Sequence, residues 1–260
     1  MHVCEQETDF FYLWMQCICG LGPCACRALL EQYGSPEQIF PQRQQLRPVG
    51  NVTSHMLILL QEGSEPALEK AKRVFDRCQS LGIRLISYEN PFYTLHLKGY
   101  TDFPLILYAY GNVHENWSTG VGIVGARRCS REGKAEAIRL AQEAAERRIP
   151  VISGMAKGID SYAHTAALRY RGYTIAVLGN GIDICYPPEH AGLMKSIADQ
   201  GILLSEYPPG TPPGRYSFPR RNRIIAGLSD ILYVVDTKEK SGTKTTIEAA
   251  RKYGKKIVLI

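Results

Sequence analysis

The sequence predicts an α/β protein, a doubly wound and mostly parallel sheet preceded by a small helical domain, on three observations. First, short apolar runs recur late in the chain, at residues 121–124, 150–153, 174–178, 202–205, 231–235 and 256–260. Second, amphipathic stretches separate them, as over 131–147, where Ala135, Ile138, Ala141 and Ala145 share one side. Continuous apolar strands alternating with helices are what a parallel sheet covered on both faces requires. Third, residues 1–82 carry helical spacing instead. The expected organisation is a helical module over 1–82 and a doubly wound domain over 83–260.

Within the module, residues 10–40 read as two short helices around the turn Gly20-Leu21-Gly22-Pro23. Pro23 suits a first helical position, and Gly34 is a good stop. A further helix is expected over 66–81, where Leu68, Ala71, Val74, Phe75 and Cys78 fall at helical spacing. The pattern fits a helix-hairpin-helix or a plain helical pair, and its acidic surroundings favour the plain pair. Residues 83–88 and 105–110 then read as strands.

Charge divides along the same line. Residues 1–120 hold 9 Lys and Arg against 12 Asp and Glu, a net of −3, whereas residues 121–260 hold 22 against 13, a net of +9. Such an asymmetry is expected of a domain that meets an anionic surface. No apolar run approaches the ~18–20 residues that cross a bilayer, and Glu5, Glu7 and Asp9 do not fit a secretory signal. A cytoplasmic protein is expected. Cys4, Cys17, Cys19, Cys24 and Cys26 crowd the start, but their C-x-C spacing is not that of common zinc sites. They read as small apolar fillers, with no metal and no cofactor expected.

The chemistry gathers where strands end. Ligands of an open parallel sheet collect outside the carboxyl ends of its strands, and one motif after another falls there. Gly125-Ala126-Arg127 is a turn into a helix that Ser130 can cap, an anion-friendly end. Ser153-Gly154-Met155-Ala156-Lys157-Gly158-Ile159-Asp160 places Lys157 on the same side, with His164 further on as a packed helix residue. An extended loop over 179–188 follows, then Glu206, which suits either a general acid or a brace for arginines. Phe218-Pro219-Arg220-Arg221-Asn222-Arg223 is the most telling stretch. A globular core has no evident use for three close guanidiniums, whereas each offers a planar fork to a phosphate. Phe218 stands beside them as a base-stacking aromatic would. Ser241 and Gly242 open the last helix with another anion-friendly end. No Ser-His-Asp set, metal cluster or Walker loop emerges, so a binding protein is expected rather than an enzyme.

Taken in order, these motifs resemble those of the DprA (Smf, DNA-processing protein A) family, over about residues 85–260. The segment over 12–40 is similar to that family's small helical module, SAM-like or helix-hairpin-helix-like. The resemblance implies an extended Rossmann-like domain that binds single-stranded DNA, forms a homodimer, protects incoming DNA and loads the RecA recombinase in natural transformation. It also implies a strand-binding set of Gly125, Ala126, Arg127, Ser130, Gly154, Lys157, Arg215, Phe218, Arg220, Arg221, Asn222, Arg223, Ser241 and Gly242. Ala126 departs from the family's usual hydroxyl residue, Pro188 from a basic residue in some relatives, and Asp236 from the usual Glu.

Two other readings compete. The fold also resembles nucleoside-monophosphate phosphoribohydrolases of the LOG type, in which case Glu206 and Glu248 would be the carboxylates to test. A degenerate relative that contacts only proteins would bind no DNA even at low salt.

Overall fold

The computed structural model describes residues 2–114, 117–236 and 242–260, with side chains from residue 8 onward. It divides into two compact units, Met1–Leu107 and Tyr108–Ile260, later in the chain than the change of texture at residue 83.

The first unit opens with α1 (His2–Cys17), α2 (Pro23–Tyr33) and α3 (Pro36–Gln42). Pro23 occupies the first turn of α2, and Gly34 ends it at φ +84°. The next helix, α4, spans Ser54–Ser80, beginning well before the expected 66. Thr53 caps it by accepting from the Met56 amide, and Pro66 is carried inside. Leu57, Leu60, Ser64, Ala67, Ala71 and Cys78 form its buried stripe. That stripe repeats at steps of three and four residues, so it overrides the proline as a boundary signal. Trp14 is fully buried, donates its indole N–H to the Ser64 carbonyl and meets Phe40 edge-on. The unit also holds β1 (Arg84–Ser87) and α5 (Pro91–His96), the latter capped by Asn90.

In the second unit β2 (Ile106–Gly111) pairs through Tyr108–Gly111, and β3 (Val121–Gly125), α6 (Arg131–Glu146), β4 (Val151–Ser153), α7 (Ile159–Arg169) and β5 (Thr174–Leu178) follow. Then come a single 3-10 turn (Pro188–His190), α8 (Ala191–Gln200), β6 (Ile202–Ser205), α9 (Ser217–Leu228), β7 (Ile231–Val235), α10 (Lys244–Lys252) and β8 (Lys256–Leu259). The strand order is β2-β6-β5-β4-β3-β7-β8, parallel throughout except where β2 meets β6. β3, β4 and β5 are buried along nearly their whole length, which is why they read as unbroken apolar runs. Small residues let the helices sit close to them: Ala137 and Ala141 of α6 and Ala163 and Ala167 of α7 pack with Ile123 and Val151. The expected doubly wound α/β fold is therefore present. Its winding reverses between β3 and β7, the place where such sheets open a crevice. Among the described residues no helix is long and apolar enough to cross a membrane.

Candidate nucleic-acid interface

Each motif lands at the carboxyl end of its strand. Gly125 is the last residue of β3, and Ala126 and Arg127 form the turn beyond it, with Arg127 exposed. That turn lies against the loop after β4: the Ala126 carbonyl accepts from the Ile159 amide at 3.2 Å. Gly158 makes the approach possible. Its φ is +78°, and a Cβ there would fall 2.2 Å from the Ala126 oxygen. Lys157, one residue earlier, is exposed and pairs with Glu189.

The helix end after β3 differs from the anion site expected there. Ser130 does cap α6, accepting from the Gly133 amide at 2.9 Å. The Ser130 amide itself donates to the carboxylate of Asp236, from the end of β7. A carboxylate of the chain thus already sits at the positive end of this helix. The sixth motif is only partly in view. Gly242 is exposed ahead of α10, and Ser241 lies outside the described residues.

The arginine cluster lies on α9, where helical geometry parts its members. Arg221 points inward and is 4% exposed. It donates to the carbonyls of Gly154 and Val177 and lies near the buried Asp160 carboxylate. A Cβ on Gly154 would fall 2.7 Å from its guanidinium nitrogens. Burial pulls the Arg221 guanidinium down to about 10, against the opposing pull of Asp160. Burial likewise pushes the Asp160 carboxyl up, opposed by Arg221 and the Ala156 and Gly154 amides. The core does have a use for one of the three guanidiniums, which corrects the expectation that it has none. Arg221 joins the loop after β4 to the end of β5. Asn222 is likewise buried; its Oδ1 accepts from Arg221 Nε at 3.2 Å, and its amide donates to Thr245 Oγ1 at 2.8 Å and to the Gly242 carbonyl at 3.3 Å.

Arg220 and Arg223 face Glu206. Arg223 makes a two-armed pair with it at 2.8 Å on each arm, and Arg220 Nε approaches at 3.2 Å. The Glu206 side chain is 2% exposed and that of Arg220 58%, so the carboxylate lies beneath and the cation outside. Of the two roles open to Glu206, bracing the arginines is the one its geometry fits. Glu248 is exposed and lies 3.9 Å from Lys244.

Aromatic groups complete the surface. The Phe218 ring packs over Gly179 and lies 5.2 Å from the Tyr186 ring, at 33° between planes. Arg215 is exposed and stands 4.7 Å over the exposed ring of Tyr216. Tyr186 and Tyr216 were absent from the expected set, although each neighbours an expected feature: Tyr186 closes the loop over 179–188, and Tyr216 adjoins Arg215. Asp236 and Glu189 were also missed as partners of Ser130 and Lys157. His164 is a packed residue as expected, fully buried with Nδ1 2.7 Å from Thr174 Oγ1.

The sequence profile of the family described as DNA recombination-mediator protein A matches residues 84–260. Protein Smf of Synechocystis is 32% identical over 97% of this chain and 64% of its own length. DNA processing protein DprA of Streptococcus pneumoniae is 39% identical over 65% of this chain and 59% of its own length. The chain thus spans less than two thirds of either relative. The X-ray structure of the S. pneumoniae protein superposes with a TM-score of 0.76 at 28% identity, covering 97% of this chain and 86% of that one. A Helicobacter pylori DNA processing protein A, whose structure is described by its unique single-stranded DNA binding mode, superposes at 0.60 and 28% identity over 68% and 80%. On the profile match, which takes in most of the chain, and on the Smf likeness along nearly all of it, this chain belongs to the DNA recombination-mediator protein A family.

Proposed function

We propose that the carboxyl end of the parallel sheet binds single-stranded DNA for recombination. The observation that carries this reading is a surface of cations, Arg220 exposed and Arg223 mostly covered, beside a tilted aromatic pair, each held by a buried partner. Glu206 braces Arg220 and Arg223, and Gly179 seats the Phe218–Tyr186 pair. Phosphates would meet Arg127, Lys157, Arg215, Arg220 and Arg223, together with amides of Gly125 and Gly242; the expected Ala126 amide is spent on the Val235 carbonyl at 3.3 Å. Bases would stack on Phe218 and Tyr186. Ser130, Gly154, Arg221 and Asn222 would act from beneath, by shaping the loops that carry these groups. The single-strand binding named for the H. pylori relative supports the reading.

The protein would work as a cytoplasmic homodimer, protect incoming DNA and deliver it to a RecA-class recombinase. The family description as a recombination mediator supports that role. The direct test is fluorescence anisotropy of a labelled oligothymidine against a duplex of equal length, followed by RecA ATPase activity on strands coated with single-strand-binding protein. Tight binding to the single strand and a faster onset of ATPase are expected. Equal affinity for the duplex, or no effect on RecA, would count against the reading.

A further inference from the structure

We infer that Glu189 occupies the place of a strand phosphate on Lys157 and is displaced when the strand binds. The inference rests on the reading of Lys157 as a phosphate contact. Lys157 and Glu189 form an ion pair whose side chains are 59% and 50% exposed, so both ends of the pair stand in water.

Two docked loops set these charges side by side. Glu189 is the middle residue of the 3-10 turn Pro188–His190, at the end of the loop over 179–188. His190 fastens that turn to the loop after β4, with Nδ1 3.0 Å from the Met155 carbonyl. A carbonyl only accepts, so Nδ1 carries the proton here. Met155 is fully buried, and Lys157 follows it two residues later. The carboxylate is thus presented to the ammonium by a turn that is itself held. The hydrogen bond from Lys157, above all, holds the Glu189 carboxyl below its ordinary range, which keeps it ionised at neutral pH.

Glu206 shows the contrasting arrangement. Its side chain is 2% exposed and braces Arg220 and Arg223 from beneath, where an arriving phosphate would not replace it. Glu189 lies at the surface, on the route by which a phosphate would reach Lys157. Carboxylate and phosphodiester each spread one negative charge over two oxygens, and an ammonium donates to either. An exposed pair of this kind is weak, so a phosphate can take the ammonium from it. The carboxylate stays tethered nearby and returns at high effective concentration when the phosphate leaves. Lys157 therefore grips the strand less tightly than an unpaired lysine would, and releases it faster. That suits a site that must pass its strand on.

The test is oligothymidine affinity by fluorescence anisotropy, with the dissociation rate from a chase with unlabelled strand. Four proteins are compared: the parent, Glu189→Gln, Lys157→Ala and the double variant. Glu189→Gln should bind about two- to fivefold more tightly, dissociate more slowly and show a steeper salt dependence. In the Lys157→Ala background the same change should have a clearly smaller effect, because no ammonium is left to compete for. An equal gain in both backgrounds would make Glu189 a general repelling charge and overturn the inference. Parent-like affinity in Glu189→Gln would also overturn it, and weaker binding by Lys157→Ala would then show that the DNA reading stands without it. A parent that does not bind oligothymidine would remove both.

Discussion

Arg223 lays both arms of its guanidinium on Glu206, Nη1 to Oε1 and Nη2 to Oε2, each at 2.8 Å. The carboxylate is almost wholly buried, and the same oxygen that takes Nη2 also receives Arg220. One hidden anion therefore fixes two cations of the proposed interface. Glu206→Gln should leave the Arg223 guanidinium without its charge partner. Breaking such a pair costs roughly 3 kcal/mol, to be read as a lower urea midpoint. Single-strand affinity should fall as well, because Arg220 and Arg223 lose their brace. Unchanged stability would mean that the pair contributes only what an exposed salt bridge does.

Arg221 and Arg127 should separate a structural arginine from a binding one. Arg221→Ala removes the donors to Gly154 and Val177 and leaves Asp160 without the guanidinium near it, so a loss of about 3–5 kcal/mol is expected. Arg127→Ala changes an exposed side chain and should stay within about 0.5 kcal/mol of the parent. Chemical denaturation of the two variants side by side measures both.

The fold was legible because β3, β4 and β5 are buried on both faces, and double burial writes unbroken apolar runs into the sequence. The start of α4 was less so, since Pro66 resembles a first-turn proline and Met56-Leu57-Ile58-Leu59-Leu60 before it is an unbroken apolar run that shows no helical period of its own. The site was legible as a set of motifs but not as separate roles. Arg220, Arg221 and Arg223 are the same residue type, and only helical phase tells them apart. Arg221 lies at i, i+4 and i+7 with Ile225 and Leu228, both buried, a spacing that places it on the inward face of α9. No local pattern could have shown Asp236 at the start of α6, because that contact joins residues 106 apart in the chain.

Acid should weaken the fold through His164. Burial first, then the Arg221 and His190 charges, depress its imidazole from 6.5 to about 3. The unfolded chain therefore binds a proton below about 6.5 that the native protein refuses down to about 3. Stability from this residue is complete above about 6.5 and declines as pH falls, by up to about 1.4 kcal/mol per unit. Asp160, whose folded carboxyl is pushed up, acts in the opposite sense just above its ordinary range. The comparison that isolates the histidine is the parent against His164→Gln between pH 4 and 7. The parent should lose more stability than the variant over that interval. Parallel curves would show that His164 is charged in the native state.

The aromatic pair has its own test. Phe218→Ala and Tyr186→Ala should each cost roughly 1–3 kcal/mol in single-strand binding. Gly179→Ala reaches the same surface without touching either ring chemically. Its Cβ would fall 2.6 Å from Phe218 Cδ1, so the ring must shift away from Tyr186. Oligothymidine affinity should fall in all three. If Gly179→Ala binds like the parent, the seated position of Phe218 does not matter for binding.

The central claim is that exposed cations at the carboxyl ends of the strands hold the phosphates of a single strand. The most direct measurement is oligothymidine affinity across a salt series for the parent, Arg127→Ala and Arg220→Ala. Each lost phosphate contact should lower affinity at every salt concentration and shrink the slope of log K against log salt by roughly 0.7. If both variants bind with the affinity and the salt slope of the parent, the DNA runs elsewhere on the protein and the account is wrong.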